Sequence, residues 1–156
     1  MDDYIFSELS ELISVVKKAL DEYKPDIATK EFLQFLEILN NWYIRLNRER
    51  FWNEDQIAFD TLYTVIINLC KTLAPFAPFI SDYIYRNLTG KESVHLEAFP
   101  CIKTAFSTKL LGGMRQTQNI VSVGKQLREN YKLRNRLPLK SLMIAGADMN
   151  EFSYIS

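Results

Sequence analysis

The sequence predicts an all-α fold, an antiparallel helix bundle followed by a C-terminal helix and a short β segment. Apolar residues recur at three- and four-residue steps through most of the first 90 positions, and this is the period of amphipathic helices. Prolines and short polar turns separate these stretches. Short connections place successive helices antiparallel, which favours a bundle. At 156 residues the chain is long enough for a domain with a hydrophobic core.

The first two helices follow from the apolar pattern. The first is expected over residues 4–23 and ends at Lys24-Pro25, because proline disfavours the α conformation in the residue before it. The second is expected to run without a break from about residue 26 to 52, a length of roughly 40 Å. Its apolar stripe comprises Phe32, Phe35, Leu36, Leu39, Tyr43 and Leu46.

The third and fourth helices are bounded by capping residues and proline. The third is expected over residues 56–74, where Asn53 or Asp55 can cap its first turn. The fourth begins at Pro78, a residue suited to the first helical position. Gly90 is expected to stop it, because helices commonly end with a left-handed glycine.

The C-terminal part contains one more helix and the short β segment. Residues 91–104 indicate a loop or extended segment, and a fifth helix is expected over about 106–131, interrupted or started late by Gly112-Gly113. The apolar run Leu142–Ala145 predicts a strand without a partner strand in this chain. The buried side of the fifth helix is expected to hold Ile120, Val123, Leu127 and Tyr131.

Composition indicates a globular chain in a reducing compartment. The apolar share of 47% and the charged share of 24% are ordinary for such proteins. There is no run of about 18 apolar residues and no secretory signal. Two cysteines are too few for a disulfide framework, so we expect a cytoplasmic location. We expect residues 1–100 to form the bundle, and residues 101–156 to add the C-terminal helix and the start of a following region within the same compact unit.

The net charge of zero conceals an uneven distribution. Residues 1–31 contain eight acidic residues and four lysines, whereas residues 103–140 contain nine basic residues and one acidic residue. A basic block of this kind is typical of a surface that binds a polyanion. The alternative is a solvated basic helix. The basic residues that we assign to phosphate contacts are Lys125, Arg128, Lys132, Arg134 and Arg136.

Residues 40–52 are the candidate recognition segment. Asn41, Arg45, Arg48 and Trp52 follow one another at steps of four, three and four, which places them on one face of a helix. Arginine, amide and indole groups suit folded RNA, because unpaired bases stack on aromatic and guanidinium planes. Two alternatives remain, a solvated helix face and a helical protein-interaction module, since tryptophan and arginine also anchor protein interfaces.

Catalytic chemistry is poorly supported. His95 is the single histidine, and neither a glycine-rich phosphate loop nor a nucleophile elbow occurs. The cysteines and histidine do not have metal-ligand spacing. Carboxylate pairs such as Asp21-Glu22 lie at expected helix ends, where capping and solvation explain them. We therefore expect no catalytic residue, metal site or cofactor in this chain.

Four ordered segments of the chain match the landmarks of a known family. The matching runs are Asn41-Trp42-Tyr43-Ile44-Arg45 with Arg48 and Arg50-Phe51-Trp52, then Leu73-Ala74-Pro75-Phe76-Ala77-Pro78-Phe79, Ser93-Val94-His95-Leu96-Glu97 with Phe99-Pro100, and Arg134 with Arg136-Leu137-Pro138-Leu139. These segments resemble the anticodon-binding domain of isoleucyl-tRNA synthetases, and the resemblance covers essentially the whole chain. Glu49 departs from the family pattern where relatives often carry another arginine, and Ala98 replaces a common acid. The Trp-Tyr and His-Leu-Glu runs favour the isoleucine enzyme over the valine and leucine enzymes.

The resemblance implies a bundle of the class I synthetase anticodon-binding type that binds the anticodon stem-loop of isoleucine tRNA. Neither a membrane nor DNA is an expected partner. Trp42 lies about 100° round the helix from Asn41, so it is assigned either to the interface or to the core. Arg50 lies near the apolar stripe and is expected to snorkel, to form a buried pair or to contact RNA. The residues assigned to the anticodon are Asn41, Trp42, Arg45, Arg48 and Trp52.

The resemblance also implies that the chain is a piece of a longer synthetase. The class I catalytic signatures HIGH and KMSKS do not occur, and an editing domain would not fit. ATP and Mg²⁺ would then belong to a catalytic domain of the same polypeptide that is absent here. An alternative is the corresponding domain of a valyl, leucyl or methionyl enzyme.

Overall fold

The computed structural model describes residues 1–101 and 107–144. It divides into two compact units, Met1–Phe106 and Ser107–Ser156, and each is described by itself. The regular elements within the described ranges are all helical, in agreement with the predicted all-α class. The expected grouping of residues 101–156 with the bundle in one compact unit stays a prediction.

The described part of the first unit, residues 1–101, contains five α-helices and two short helical segments of other types. In chain order, these elements are α1 (Asp2–Asp21), α2 (Pro25–Ile38), a π-helix (Leu39–Ile44), α3 (Arg48–Trp52), α4 (Gln56–Leu73), α5 (Pro78–Thr89) and a 3₁₀ turn (Val94–Leu96).

Helices α1, α2, α4 and α5 form an antiparallel bundle. Helix α1 packs against α2 and α4, and α4 packs against α5. The hydroxyl of Tyr43, beyond the end of α2, donates a hydrogen bond to Asp2 at the start of α1. Phe32, in the middle of α2, meets Phe76, beyond the end of α4, with ring centroids 5.2 Å apart. Helices α1 and α2 therefore run in opposite directions, and the short connection between α4 and α5, residues 74–77, agrees with the predicted antiparallel bundle.

Apolar and aromatic side chains fill the bundle. Tyr4, Tyr43 and Val65 are among the largest fully buried side chains. Cys70 and Tyr85 belong to a further buried cluster between α4, α5 and the 3₁₀ turn. A close-packed interior of this kind stabilises helices that would be marginal alone.

The helix boundaries follow the predicted capping chemistry. Asp55 is the N-cap of α4, and its carboxylate accepts hydrogen bonds from the backbone N–H groups of Ile57 and Ala58. Pro25 and Pro78 occupy the first turns of α2 and α5, where the missing N–H of proline costs no helical hydrogen bond. Gly90 has a φ of 68° beyond α5, as expected for a left-handed C-terminal stop.

The prediction of one continuous helix over residues 26–52 is wrong. Helix α2 ends at Ile38, a π-helical segment follows, residues 45–47 form a turn, and α3 begins at Arg48. A π-helix changes the register of side chains relative to the 3.6-residue period. Leu46, a member of the predicted stripe, is therefore exposed, and Asn47 is buried instead. Leu36, which precedes the π-helix, is exposed as well, so the stripe is wrong at that position too.

The second unit contains α6 (Thr108–Asn130), which begins at the Ser107 N-cap. The expected interruption at Gly112-Gly113 is wrong, because the helix continues through both glycines. The expected buried face is also wrong: Leu111 and Met114 near the start of α6 are buried, whereas Val123, Leu127 and Tyr131 are exposed and Ile120 is partly exposed. Apolar spacing identifies a helix face but does not show which turns of that face are covered.

The predicted β segment is not seen among the described residues. Leu142, Met143 and Ile144 are exposed and irregular, because a strand requires a neighbouring strand for its backbone hydrogen bonds. Ala145, the last residue of that predicted strand, and residue 106, the predicted start of the fifth helix, lie outside the described residues.

Candidate nucleic-acid interface

The predicted recognition segment contains the break between α2 and α3. The backbone N–H of Arg45 donates to the carbonyl oxygen of Asn40 at 3.2 Å, the five-residue spacing of a π-helix. Short π-helical segments occur frequently at functional sites. The π-helix and the turn at residues 45–47 separate α2 from α3, which begins at Arg48.

The structure exposes four of the five residues assigned to the anticodon. Asn41, Arg45, Arg48 and Trp52 are exposed, and Trp42 is half-buried. Only Arg48 and Trp52 are related by regular α-helical spacing, because the π-helix and the turn separate them from the other two. The exposure expected from the sequence is therefore observed, although the continuous helix that predicted it is absent.

Arg48 and Trp52 lie beside an apolar groove, which we call the α3–α4 groove. It has a volume of about 310 Å³ and is lined by apolar side chains apart from Arg48. Trp52 is 75% exposed and Phe59 is 44% exposed, so both rings are accessible along its walls. The remaining lining residues are Ile44, Phe51 and Leu62.

Phe59 is an accessible groove-lining residue that the sequence did not indicate. Its ring meets that of Phe51 edge to face at 5.4 Å, and Phe51 meets Tyr43 in the same way at 6.3 Å. This row of rings connects the groove to the buried Tyr43. The sequence shows only a phenylalanine one turn before Leu62. It does not show that α3 lies against this part of α4.

Arg50 lies in α3 between Arg48 and Trp52 and forms ion pairs with both α1 and the start of α4. Its Nη1 and Nη2 donate to the two carboxylate oxygens of Asp2 at 2.8 and 3.0 Å. Its Nε donates to Asp55 at 2.7 Å. The three side chains are between 25% and 32% exposed. Of the outcomes expected for Arg50, the structure places it in a partly buried ion pair.

Two further polar side chains complete this network. The Tyr43 hydroxyl donates to Asp2 Oδ1 at 3.0 Å. The Asn47 amide nitrogen donates to the Tyr43 carbonyl oxygen at 2.8 Å, and its amide oxygen accepts from Arg50 Nη1 at 3.1 Å. We call Asp2, Tyr43, Asn47, Arg50 and Asp55 the Arg50 network.

Charges within the Arg50 network stabilise one another. Hydrogen bonds from Arg50 lower the pKa of Asp2, against the opposing effect of burial. They also lower the pKa of Asp55, and both carboxylates raise the pKa of Arg50. Burial, reinforced by the hydrogen bond to Asp2, raises the pKa of Tyr43 to about 12. At neutral pH the network therefore holds two carboxylates, one guanidinium and a neutral phenol.

The basic residues assigned to phosphates belong to the second unit. Lys125, Lys132, Arg134 and Arg136 are exposed, and Arg128 is partly exposed. Arg128 Nη1 donates to the carbonyl oxygens of Arg134, Asn135 and Leu137 at 2.9 to 3.3 Å. Arg128 therefore holds the turn that carries Arg134 and Arg136, a role that the sequence did not indicate.

Neither a metal-binding cluster nor a membrane-spanning helix is found among the residues that the structure describes. Among residues 1–101 and 107–144, no three histidine, cysteine, aspartate or glutamate side chains lie together in a way that could hold a metal ion. Within the same ranges, no helix has both the length and the apolar character needed to cross a membrane.

Comparison with known proteins identifies the family. The anticodon-binding domain of tRNA ligases matches residues 2–144. This chain belongs to that family. Isoleucine–tRNA ligase of Porphyromonas gingivalis is 42% identical over 95% of the chain. The enzymes of Protochlamydia amoebophila and Bifidobacterium longum are 38% and 36% identical over 99% and 96% of it.

The match to these ligases is confined to one part of their length. The aligned region is 14% of the Porphyromonas enzyme, 16% of the Protochlamydia enzyme and 15% of the Bifidobacterium enzyme. The chain therefore spans about 15% of the curated relatives that it matches. The family assignment confirms the resemblance drawn from residues 41–52 and the three later landmarks.

Proposed function

We propose that this chain binds the anticodon stem-loop of isoleucine tRNA, as part of an isoleucine–tRNA ligase that charges this tRNA using ATP. The observation that carries the proposal is the α3–α4 groove, where an accessible indole and a guanidinium flank an apolar surface. Membership of the anticodon-binding family and the names of the relatives support the tRNA and its isoleucine identity.

The groove suits an unstacked base of an anticodon loop. A base stacked on Trp52 would cover an indole that is 75% exposed, and stacking on aromatic side chains is the usual way that proteins hold unpaired bases. Arg48, four residues before Trp52, offers a cation for a phosphate or a base edge. Asn41 and Arg45 offer exposed hydrogen-bonding groups, and the half-buried Trp42 presents part of its ring.

The basic residues of the second unit suit a different task. Lys125, Lys132, Arg134 and Arg136 are exposed and would contact phosphates, which position RNA without reading its sequence. Arg128 would contribute mainly by holding the turn through its Nη1, which leaves its other N–H groups for a phosphate. This division predicts that the two groups of residues affect binding in different ways.

The proposed setting is the intact ligase in the cytoplasm. Its catalytic domain would bind ATP with Mg²⁺ and would be the intramolecular partner of this chain. The tRNA would bridge the two, because the anticodon and the amino-acid acceptor lie at opposite ends of the molecule. Neither ATP nor Mg²⁺ is proposed to bind the residues described here.

A salt-series titration tests the proposal against the alternative of a protein-interaction module. The fluorescently labelled anticodon stem-loop of isoleucine tRNA is titrated with the chain from about 50 to about 200 mM KCl. Each neutralised phosphate should contribute roughly −0.7 to −0.9 to the slope of log K against log salt. A slope near zero, or no binding at the lowest salt, would contradict RNA binding by this chain and favour a protein partner.

A further inference from the structure

We infer that Arg50 is a positioning residue, which fixes α3 so that Arg48 and Trp52 face the RNA in a preformed arrangement. The inference rests on the proposed function, since it assigns a task to a side chain next to the proposed base-binding site. Arg50 itself then makes no contact with RNA, although it lies between Arg48 and Trp52 in the sequence.

The hydrogen bonds of Arg50 leave it little capacity for RNA. A guanidinium has five N–H groups, and four contacts from Nε, Nη1 and Nη2 engage Asp2, Asp55 and Asn47. Asp2 and Asp55 already pair with the guanidinium. A phosphate approaching Arg50 would therefore have to displace a carboxylate from its N–H groups.

Helix α3 needs an external anchor to hold its direction. It contains five residues, whereas isolated helices shorter than about 12 residues are marginal in water. None of its residues is fully buried, and its packing depends mainly on Phe51, whose ring meets those of Tyr43 and Phe59. Arg50 supplies the anchor, because it binds the first residue of α1 and the N-cap of α4 simultaneously.

The same network fixes the segment that leads into α3. Tyr43, in the π-helix, donates to the carboxylate oxygen of Asp2 that also accepts from Arg50. Asn47, in the turn, bonds both the Tyr43 carbonyl oxygen and Arg50. The π-helix, the turn and α3 are thus tied to one carboxylate, and removal of Asp2 should release all three.

The Asp2→Asn variant distinguishes a positioning role from a direct RNA contact, because the two roles predict opposite changes in the affinity for RNA. Loss of a negative charge strengthens binding to a polyanion if electrostatics alone acts. If Asp2 and Arg50 position α3, Asp2→Asn should instead weaken stem-loop binding by about tenfold, the scale of ordering two long side chains on binding. Asp3→Asn is the matched control, since Asp3 has the same charge, is exposed, and lies in the same first turn of α1.

Fluorescence in the absence of RNA provides a second readout. A Trp42→Phe background leaves Trp52 as the single tryptophan, because the chain contains two. We expect Arg50→Ala and Asp2→Asn to lower the steady-state anisotropy of Trp52, Asp3→Asn to leave it unchanged, and Arg50→Lys to restore part of it. Far-ultraviolet circular dichroism confirms that each variant retains the helical bundle.

The outcomes distinguish this inference from the proposed function. An unchanged Trp52 anisotropy in folded Arg50→Ala and Asp2→Asn overturns the positioning role, whether or not the wild-type chain binds RNA. Tighter stem-loop binding by both Asp2→Asn and Asp3→Asn also overturns it, since only net charge would then matter. Reduced anisotropy together with no wild-type RNA binding would support the positioning role and contradict the proposed function alone.

Discussion

Replacement of Trp52 by alanine should weaken RNA binding while leaving the fold intact. Trp52 is 75% exposed, and exposed substitutions usually change the free energy of unfolding by less than about 0.5 kcal/mol. The loss of one stacked base should cost roughly 1–3 kcal/mol of binding free energy. Since about 1.4 kcal/mol corresponds to tenfold in affinity, the dissociation constant should rise by about 5- to 140-fold.

The assay for Trp52→Ala combines a binding curve with an unfolding curve. Fluorescence anisotropy of the labelled isoleucine stem-loop gives the dissociation constant, and urea denaturation gives the free energy of unfolding. Phe79→Ala is the matched control, because Phe79 is an aromatic residue with 90% exposure in the first turn of α5. Helix α4, with 18 residues, has a length of roughly 27 Å and separates Phe79 from the groove.

Four results would contradict the role assigned to Trp52. Wild-type affinity in Trp52→Ala would show that no base stacks on the indole. A stability loss above about 2 kcal/mol, well outside the range of exposed sites, would show that Trp52 is a packing residue. Equal weakening of Trp52→Ala and Phe79→Ala would show that the groove has no special role. An equal loss of affinity for all tRNAs would contradict a part in base reading.

Three other predictions concern the groove, the basic turn and acid stability. Phe59→Ala should weaken stem-loop binding by about tenfold, the scale of one stacking contact, and an unchanged anisotropy titration would exclude Phe59 from the interface. Arg136→Ala should weaken binding to all tRNAs similarly and reduce the slope of log K against log salt by about one. An unchanged slope in this variant would contradict a phosphate contact. Arg128→Ala should in addition loosen the turn that Arg128 holds. Hydrogen bonds from Lys71 and then Lys91 lower the pKa of Glu97 from its ordinary value of 4.5 to about 2, so its stabilising effect is present above pH 4.5 and is lost as the pH falls towards 2. Glu97→Gln should therefore flatten the acid limb of a pH series of urea unfolding curves, and a limb as steep as that of the wild type would contradict this assignment.

The bundle could be predicted from the sequence because its signals are local. Apolar spacing located the long helices, and Pro25, Pro78 and Gly90 marked boundaries that the structure confirms. The Asp55 cap was one of two candidates and is the one observed. Each of these signals depends on backbone chemistry within a few residues, so a single sequence is enough to identify it.

The break between α2 and α3 could not be predicted in the same way. Tyr43 and Arg50 hold the segment that leads into α3 by hydrogen bonds to Asp2. Tyr43 is separated from Asp2 by 41 positions in the sequence, and Arg50 by 48. Such tertiary contacts override local helix propensity. The α3–α4 groove could not be predicted for the same reason, because Phe59 lines it only when α3 packs against α4.

The apolar stripe of α6 shows a second limit of periodicity. Val123, Leu127 and Tyr131 have helical spacing but are exposed, whereas Leu111 and Met114 are buried. Helical spacing indicates which residues share a face of the helix. Whether that face is buried depends on the elements packed against it, which the spacing does not indicate. The five phosphate-contacting assignments and the five anticodon assignments likewise stay predictions until RNA binding is measured.

Anticodon recognition is tested most directly by a comparative titration with three RNAs. The chain is titrated with isoleucine tRNA, with the same tRNA carrying a swapped anticodon, and with valine tRNA, each over a series of salt concentrations. We expect the tightest binding to the native isoleucine anticodon, and we expect this preference to persist as salt weakens all three complexes. Equal affinity for the three RNAs at every salt concentration would contradict anticodon recognition by residues 41–52.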